Sequence, residues 1–397
     1  MEKQIRLNPF NIQFAAILVV LMIYSLGWSD ITKPLTWSTF LFFVFVLFNL
    51  AIFSTLYNAY FPEHKIRKTT YEGSMTAWCV LGGLAMLAEF SYEKAIPIYE
   101  IFILKNGYNY VNFQGIPGFH VFAVTYTSFL GLWLWQQFLS KKRWYQLGLA
   151  ILFVSYPLML FNRGGFIFNM VSAFFIWLYQ TRYFYLQLKH LVILVLVLLG
   201  LSYGFGIFGN YRSFGASKNG AKKEFFTEST YILNTGKATR EFKDSSVPKE
   251  FFWTYLYVAT PVANLQNIIE KTEPMNDSVS FLTQSILPDF IGKRVDKKRQ
   301  VTIPKDKLVS PVFNVSTYFS SAFKTLGYTG LILLLYYFAL FIFGFTYLYW
   351  KFSGVQLVGL GILMTLASFS LFDNMLTFSG LSFQLIFPVL FGVYERL

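Results

Sequence analysis

The chain has 397 residues, 55% hydrophobic, 21% aromatic and only 13% charged, and its 33 Lys and Arg outnumber 20 Asp and Glu for a net charge of +13. Apolar runs repeatedly approach the ~20 residues that cross a bilayer; a hydrated fold would have to hide them all in one core, whereas lipid solvates them as helices. That balance excludes a soluble enzyme with a single anchor and predicts an all-α polytopic membrane protein.

In chain order, hydropathy predicts about ten transmembrane helices at 12–28, 36–58, 74–91, 118–138, 145–161, 166–181, 190–208, 328–350, 354–372 and 379–394. Seven fall within 1–208, a long loop follows over 209–327, and three more fall within 328–397. The first follows Lys3 and Arg6 without a small-residue cleavage site, so it is expected to be retained. Alternate short connections hold the cations: "EHKIRK" (63–68), "SKKRW" (140–144), "TRYFYLQLK" (181–189) and Lys351. By the positive-inside rule these connections and both termini are cytoplasmic, which puts Arg163, the loop 92–117 and the stretch 209–327 on the outer face.

The long loop is itself basic, at Arg212, Lys218, Lys222, Lys223, Lys237, Arg240, Lys243 and "GKRVDKKR" (292–299), but long loops translocate largely regardless of charge. Any one of these lysines has a plain explanation as solvated surface. Together they suit anionic lipid head groups, pyrophosphate or acidic glycans, and nucleic acid is not an expected partner. Within the loop, "EFFWTYLYVATPVANLQNIIE" (250–270) reads as a helix or re-entrant segment kinked at Pro261. A second apolar patch, "SFLTQSILPDFIG" (280–292), is expected to pack with it over the bundle as a lid.

Cys79 stands alone, and His64, His120 and His190 are widely separated, so neither a disulfide framework nor a zinc site is expected. Nucleotide-binding glycine loops and Gly-x-Ser-x-Gly are lacking too, and no cofactor is predicted. Charges cluster at the outer ends of helices, at Glu89, Arg163, Arg212 and Asp373, which favours chemistry at the outer surface over a relay across the membrane.

"FNRGGFIFNM" (161–170) interrupts hydrocarbon with a permanent cation. Snorkelling to head groups is the plain reading of Arg163. The sharper one is a phosphate site, because Gly164 and Gly165 permit close approach and the next helix N-terminus adds positive potential. Arg212, in "GNYRSFG" (209–215), would project from the same face, and two guanidinium forks could bracket a pyrophosphate.

With "YVATPVANL" (257–265) and "YFSSAFKTLGYTGLI" (318–332), these motifs make residues 150–335 resemble the oligosaccharide repeat-unit polymerases, the Wzy-type O-antigen, capsule and enterobacterial-common-antigen polymerases. The resemblance implies a fold like that of the GT-C glycosyltransferases in a bacterial inner (plasma) membrane. It implies polymerisation of polyprenyl-pyrophosphate-linked repeat units on the outer face, by transfer of the growing glycan to the non-reducing end of a new lipid-linked unit. Carried over by position, Arg163 and Arg212 would bind the donor pyrophosphate, with Arg240 as a third cation. Tyr211, in the same "YR" motif, and Tyr257, Pro261 and Asn264 would contribute to the substrate groove. A chain-length regulator, a flippase and membrane lipids are the implied partners.

Such a transfer builds negative charge on the leaving oxygen and needs a base for the acceptor hydroxyl. His120, Glu89, Asp289 and Asp373 are the outer-face candidates, and Tyr108, Tyr110, Trp253 and Tyr255 could stack on sugars. GT-C enzymes that use a metal carry an acidic motif in the first outer loop; "GWSDITKPL" offers only Asp30, so the reading is metal-independent. The rival readings are an O-antigen ligase, a lipid-linked-glycan flippase and a membrane O-acyltransferase, for which His120 alone could serve as catalytic histidine.

Overall fold

A computed structural model describes residues 5–62, 73–181, 185–186, 188–215, 229–352 and 355–394, and the protein it describes is all-α. Among these residues the β-structure amounts to a two-residue antiparallel ladder, Ile5–Arg6 with Tyr185–Leu186, and one isolated bridge between Ser29 and Ala238.

We label the principal helices α1 (Pro9–Tyr24), α2 (Trp37–Tyr60), α3 (Thr76–Glu93), α4 (Phe119–Lys141), α5 (Trp144–Val154) and α6 (Arg163–Gln180). They continue as α7 (Leu188–Gly215), α8 (Phe251–Lys271), α9 (Asp289–Arg299), α10 (Phe319–Phe352), α11 (Gln356–Phe369) and α12 (Ile386–Tyr394). Local chemistry starts several of them. The Asn8 side chain accepts a hydrogen bond from Asn11 N–H at 2.8 Å with Pro9 at the first helical position, and Asn162 caps α6 by accepting from Gly165 N–H at 2.9 Å.

Helix α11 is the axis of the bundle, buried along almost its whole length, and it packs against α6, α1 and α10. Helix α4 lies beside α6 and carries α3 and α5 on its flanks, while α8 bridges α1, α7 and α10. Two glycines let backbones approach. A Cβ on Gly361 would sit 2.6 Å from the Ile176 side chain, and one on Gly131 would sit 2.8 Å from the backbone of Val154. Hydroxyls in the first half of α4 are satisfied locally: Thr125 and Thr127 donate to carbonyls one turn back, and Asn169 of α6 donates to Ser128 Oγ at 2.9 Å.

Among the described residues two helices, α2 and α10, are long and apolar enough to cross a membrane. Each of the other expected segments falls on helix, and several of those helices are short, polar or broken. Residues 145–161 divide at Ser155 into α5 and a turn at Tyr156–Met159, because Pro157 cannot continue the hydrogen-bond ladder. The last segment is built from Ser379–Ser382, a 3₁₀ turn at Phe383–Leu385, and α12. Helix α7 runs to Gly215, so Tyr211 and Arg212 stand on its last turns and not in a loop. Helix α10 starts at Phe319, nine residues before the expected span, and breaks at Gly327 (φ 59°, ψ −145°).

The segment 250–270 forms α8, a continuous helix with Pro261 inside it. The patch 280–292 folds as Ser278–Phe281, a π-helical turn Leu282–Ile286 and the start of α9, and this turn packs on α10. Lys218, Lys222, Lys223 and His64 lie outside the described residues, as do the side chains of Arg212 and His190.

Candidate functional site

A polar cavity of about 600 Å³ opens between α9, the start of α10 and the turn that follows α11. Its charged walls are Asp289, Lys293, Asp306, Lys324 and Asp373. Asp289 is the first residue of α9. Its backbone N–H donates to the Thr377 carbonyl at 2.7 Å, and its carboxylate accepts from Lys293 Nζ at 2.8 Å, from Ser379 N–H at 3.3 Å and from the Ser379 hydroxyl. These bonds fasten α9 to the 374–379 turn, which brings Asp373 to the same space. Asp373 accepts from Asn374 N–H at 2.7 Å, and Asn374 Nδ2 donates to the Ser285 carbonyl at 3.0 Å.

The other wall is the "YFSSAFK" motif. Helical spacing puts Ser320 and Lys324 on one face one turn apart, and Lys324 pairs with Asp306 at 2.5 Å. Thr317 lines the cavity too; its hydroxyl is buried and makes no hydrogen bond. Asn264 of α8 holds this wall from behind. Fully buried, it donates to the Phe313 carbonyl at 2.8 Å and to the Val315 carbonyl at 2.7 Å, and accepts from Val309 N–H at 2.8 Å. All three bonds go to the strap 309–315, whose end forms cavity surface.

The two carboxylates are driven apart. Burial pushes Asp289 upward, but Lys293 and Ser379 outweigh it and hold its carboxyl below the usual range. Desolvation raises Asp373 above the usual range, and the charges of Asp289 and Asp306 add to that, against a weaker opposing effect of its own turn and Lys293. Asp373 remains open to solvent through the cavity, so the desolvation comes from surrounding walls and not from an enclosing core. A carboxylate with a raised pKa beside one with a lowered pKa divides acid–base from electrostatic work.

A second constellation joins two of the expected bases. His120 Nδ1 lies 2.5 Å from Glu89 Oε2, with Glu89 fully buried and His120 one third exposed. Glu89 Oε1 also accepts from Ile116 N–H at 3.0 Å, and Glu93 accepts from Gln114 and Gly115 N–H, so the 113–118 turn is tied over the pair.

Arg163 does not line the cavity. It stands exposed at the first position of α6, its guanidinium 5.6 Å from the centroid of Phe161, whose ring stacks on Tyr110 at 5.0 Å and Phe102 at 5.9 Å. Arg240 is an exposed surface residue paired with Asp244 at 3.5 Å. Tyr211 and Tyr257 are half-exposed on α7 and α8, Tyr257 edge-on to Phe205 at 5.2 Å, and Pro261 is buried inside α8. The connection between α6 and the cavity is Phe168, which packs on Phe378 at 5.7 Å, a cavity wall.

Sequence reasoning reached Asp289 and Asp373 but missed Lys293, Asp306, Lys324 and Thr317. The i,i+4 spacing of Asp289 with Lys293 and of Ser320 with Lys324 was the available signal. Among the described residues no three His, Cys, Asp or Glu side chains converge as a ligand group, and the cations that line the cavity are Lys293 and Lys324. Comparison with protein-family models, with curated proteins and with solved structures finds no match to this chain.

Proposed function

We propose that the chain is a membrane glycosyltransferase that polymerises polyprenyl-pyrophosphate-linked oligosaccharides, with the Asp289–Asp373 cavity as its reaction site. The observation that carries this reading is the split pair of carboxylates in a cavity lined with hydroxyl and amide side chains, the groups that hydrogen-bond sugar hydroxyls. Asp373 takes the proton of the acceptor hydroxyl as the hydroxyl oxygen attacks the anomeric carbon. The anomeric C–O bond breaks, and its electron pair stays on the pyrophosphate oxygen. Lys324 and Lys293 stabilise that charge, and Asp289 fixes the position of Lys293.

The membrane setting rests on α7, whose Leu196 and Leu201 are 62% and 65% exposed within an apolar run that no other part of the chain covers among the described residues. An uncovered surface of that size is unfavourable in water and favourable in lipid. In this reading all ten apolar segments sit in a bacterial inner membrane, the termini are cytoplasmic and the cavity opens outward. Arg163 on its aromatic stack forms an outlying approach for the donor.

The test uses purified protein and one lipid-linked repeat unit as donor and acceptor, with products resolved by size. A ladder spaced by one repeat, lost in Asp373→Asn, supports the reading. A full ladder from Asp373→Asn overturns the assignment of the base. The His120–Glu89 pair favours a second reading, acyl transfer, in which a buried carboxylate orients an imidazole to activate a hydroxyl. Acyl incorporation lost in His120→Gln while Asp373→Asn stays active would establish that reading instead.

A further inference from the structure

The geometry points to a second anion site, at the opposite end of α3 and α4 from Glu89 and His120, that binds a phosphate group. A cavity of about 650 Å³ lies between the starts of α3 and α5 and the end of α4. Seventeen residues of α4 separate His120 from Gln137, about 26 Å at the helical rise, so this cavity is distinct from both constellations described above.

Three independent features converge there. Gln137 lines the cavity and is 1% exposed, yet neither its amide oxygen nor its amide nitrogen has a hydrogen-bond partner; the Gln146 amide oxygen, in a side chain 4% exposed, is also unpartnered. Buried polar atoms left unpaired are costly, and a resident polar ligand removes that cost. Second, Lys141 and Arg143 stand on the wall, and no carboxylate does among the described lining residues. Third, α3 and α5 both begin at the cavity. Thr76 N–H donates to Ser74 Oγ at 3.3 Å and Gln146 N–H to the Arg143 carbonyl at 2.9 Å, and the two helix starts add positive potential.

The ligand is therefore an anion that also accepts a hydrogen bond from an amide and offers a donor or bridging water to one. A phosphate monoester or diester meets this description. Leu134 and Leu149 on the same wall give it an apolar flank, so the phosphate can come from a lipid head group or from free phosphate. The inference does not rest on the glycosyl-transfer reading and is tested without any activity assay.

Full-length protein in a neutral detergent would be titrated with phosphatidylglycerol, with phosphatidylcholine and with inorganic phosphate, reading bound mass and melting temperature. Phosphatidylglycerol binding alone assigns a lipid head group, and inorganic phosphate binding assigns the free anion. Each must weaken at least tenfold in Arg143→Gln and in Gln137→Leu. Gln137→Leu carries a signature that a structural amide would not: the ligand-free protein melts higher, because two unpaired polar atoms have left the interior, while the ligand-induced shift disappears. Binding to neither phosphate probe, or binding unchanged in both variants, overturns the proposal.

Discussion

Asp289 and Asp373 line one cavity, and Lys293 bonds the first at 2.8 Å while no cation among the described residues pairs with the second. The unequal partnership is what separates their protonation. On acidification Asp289 keeps its charge to a lower pH than an ordinary carboxylate, and Asp373 loses its charge at a higher one.

Asp373→Asn should therefore reduce turnover by about 10²–10⁴-fold. Since its pKa is raised in the folded protein, the protonated form is favoured by folding, a contribution present at low pH and lost as pH rises through the folded value. Asn resembles that neutral form, so the variant's melting temperature at neutral pH should equal or exceed the parent's. In the parent, activity should fall on acidification at a higher pH than an ordinary carboxylate would give. A pH–rate profile and a melting curve check both.

Asn264→Ala should destabilise the fold by about 2–4 kcal/mol, since it removes three bonds to the 309–315 strap and leaves buried backbone groups unpaired. Because the strap end is cavity wall, the same change should raise KM more than it lowers kcat. An unchanged melting temperature would count against the clamp.

Asp277, bonded by Ser280 and Arg299, is held at a pKa of about 2. A lowered carboxylate stabilises the fold above its unfolded pKa of 3.8 and loses that contribution as pH falls toward 2. Arg299→Gln should lower stability above about pH 4, by a small amount as an exposed ion pair implies, and leave it unchanged below about pH 2, where Asp277 is protonated in both proteins. Acid titration followed by circular dichroism reads both arms.

The two glycines after Arg163 should respond in opposite directions. A Cβ on Gly164 meets only Asn162 Oδ1 at 3.7 Å, so Gly164→Ala should stabilise α6 by up to about 1 kcal/mol. On Gly165 it meets Asn162 at 3.0 Å and Pro157 at 3.1 Å, so Gly165→Ala should disturb the cap and lower the melting temperature. Paired melting curves would decide whether "NRGG" is shaped first by its own cap.

That motif illustrates what the sequence made legible. The helix start at Asn162 and the positions of the apolar segments follow from short-range pattern, and the structure has helix at each of them. Arg163 illustrates what was not. The motif suggests a phosphate fork, yet its nearest described partner is the Phe161 ring, brought round by a positive φ of 63° that no sequence rule signalled. Likewise Glu89 and His120 are 31 residues apart, and their pairing depends on the antiparallel docking of α3 and α4. Lys324 was hidden for a different reason: it lies in a stretch expected to be loop, and the helical register that aims it with Ser320 into the cavity exists only because α10 begins at Phe319.

The break at Gly327 divides α10 into a polar piece and an apolar one. Ahead of it lie Ser320, Ser321 and Lys324; behind it runs a nearly uninterrupted hydrocarbon sequence. A straight helix through this point would tie the tilt of the apolar half to the direction of the polar half. With the chain turned at one glycine, the two halves take different directions. During synthesis the apolar half can enter lipid as a unit, and the polar half never has to follow it in.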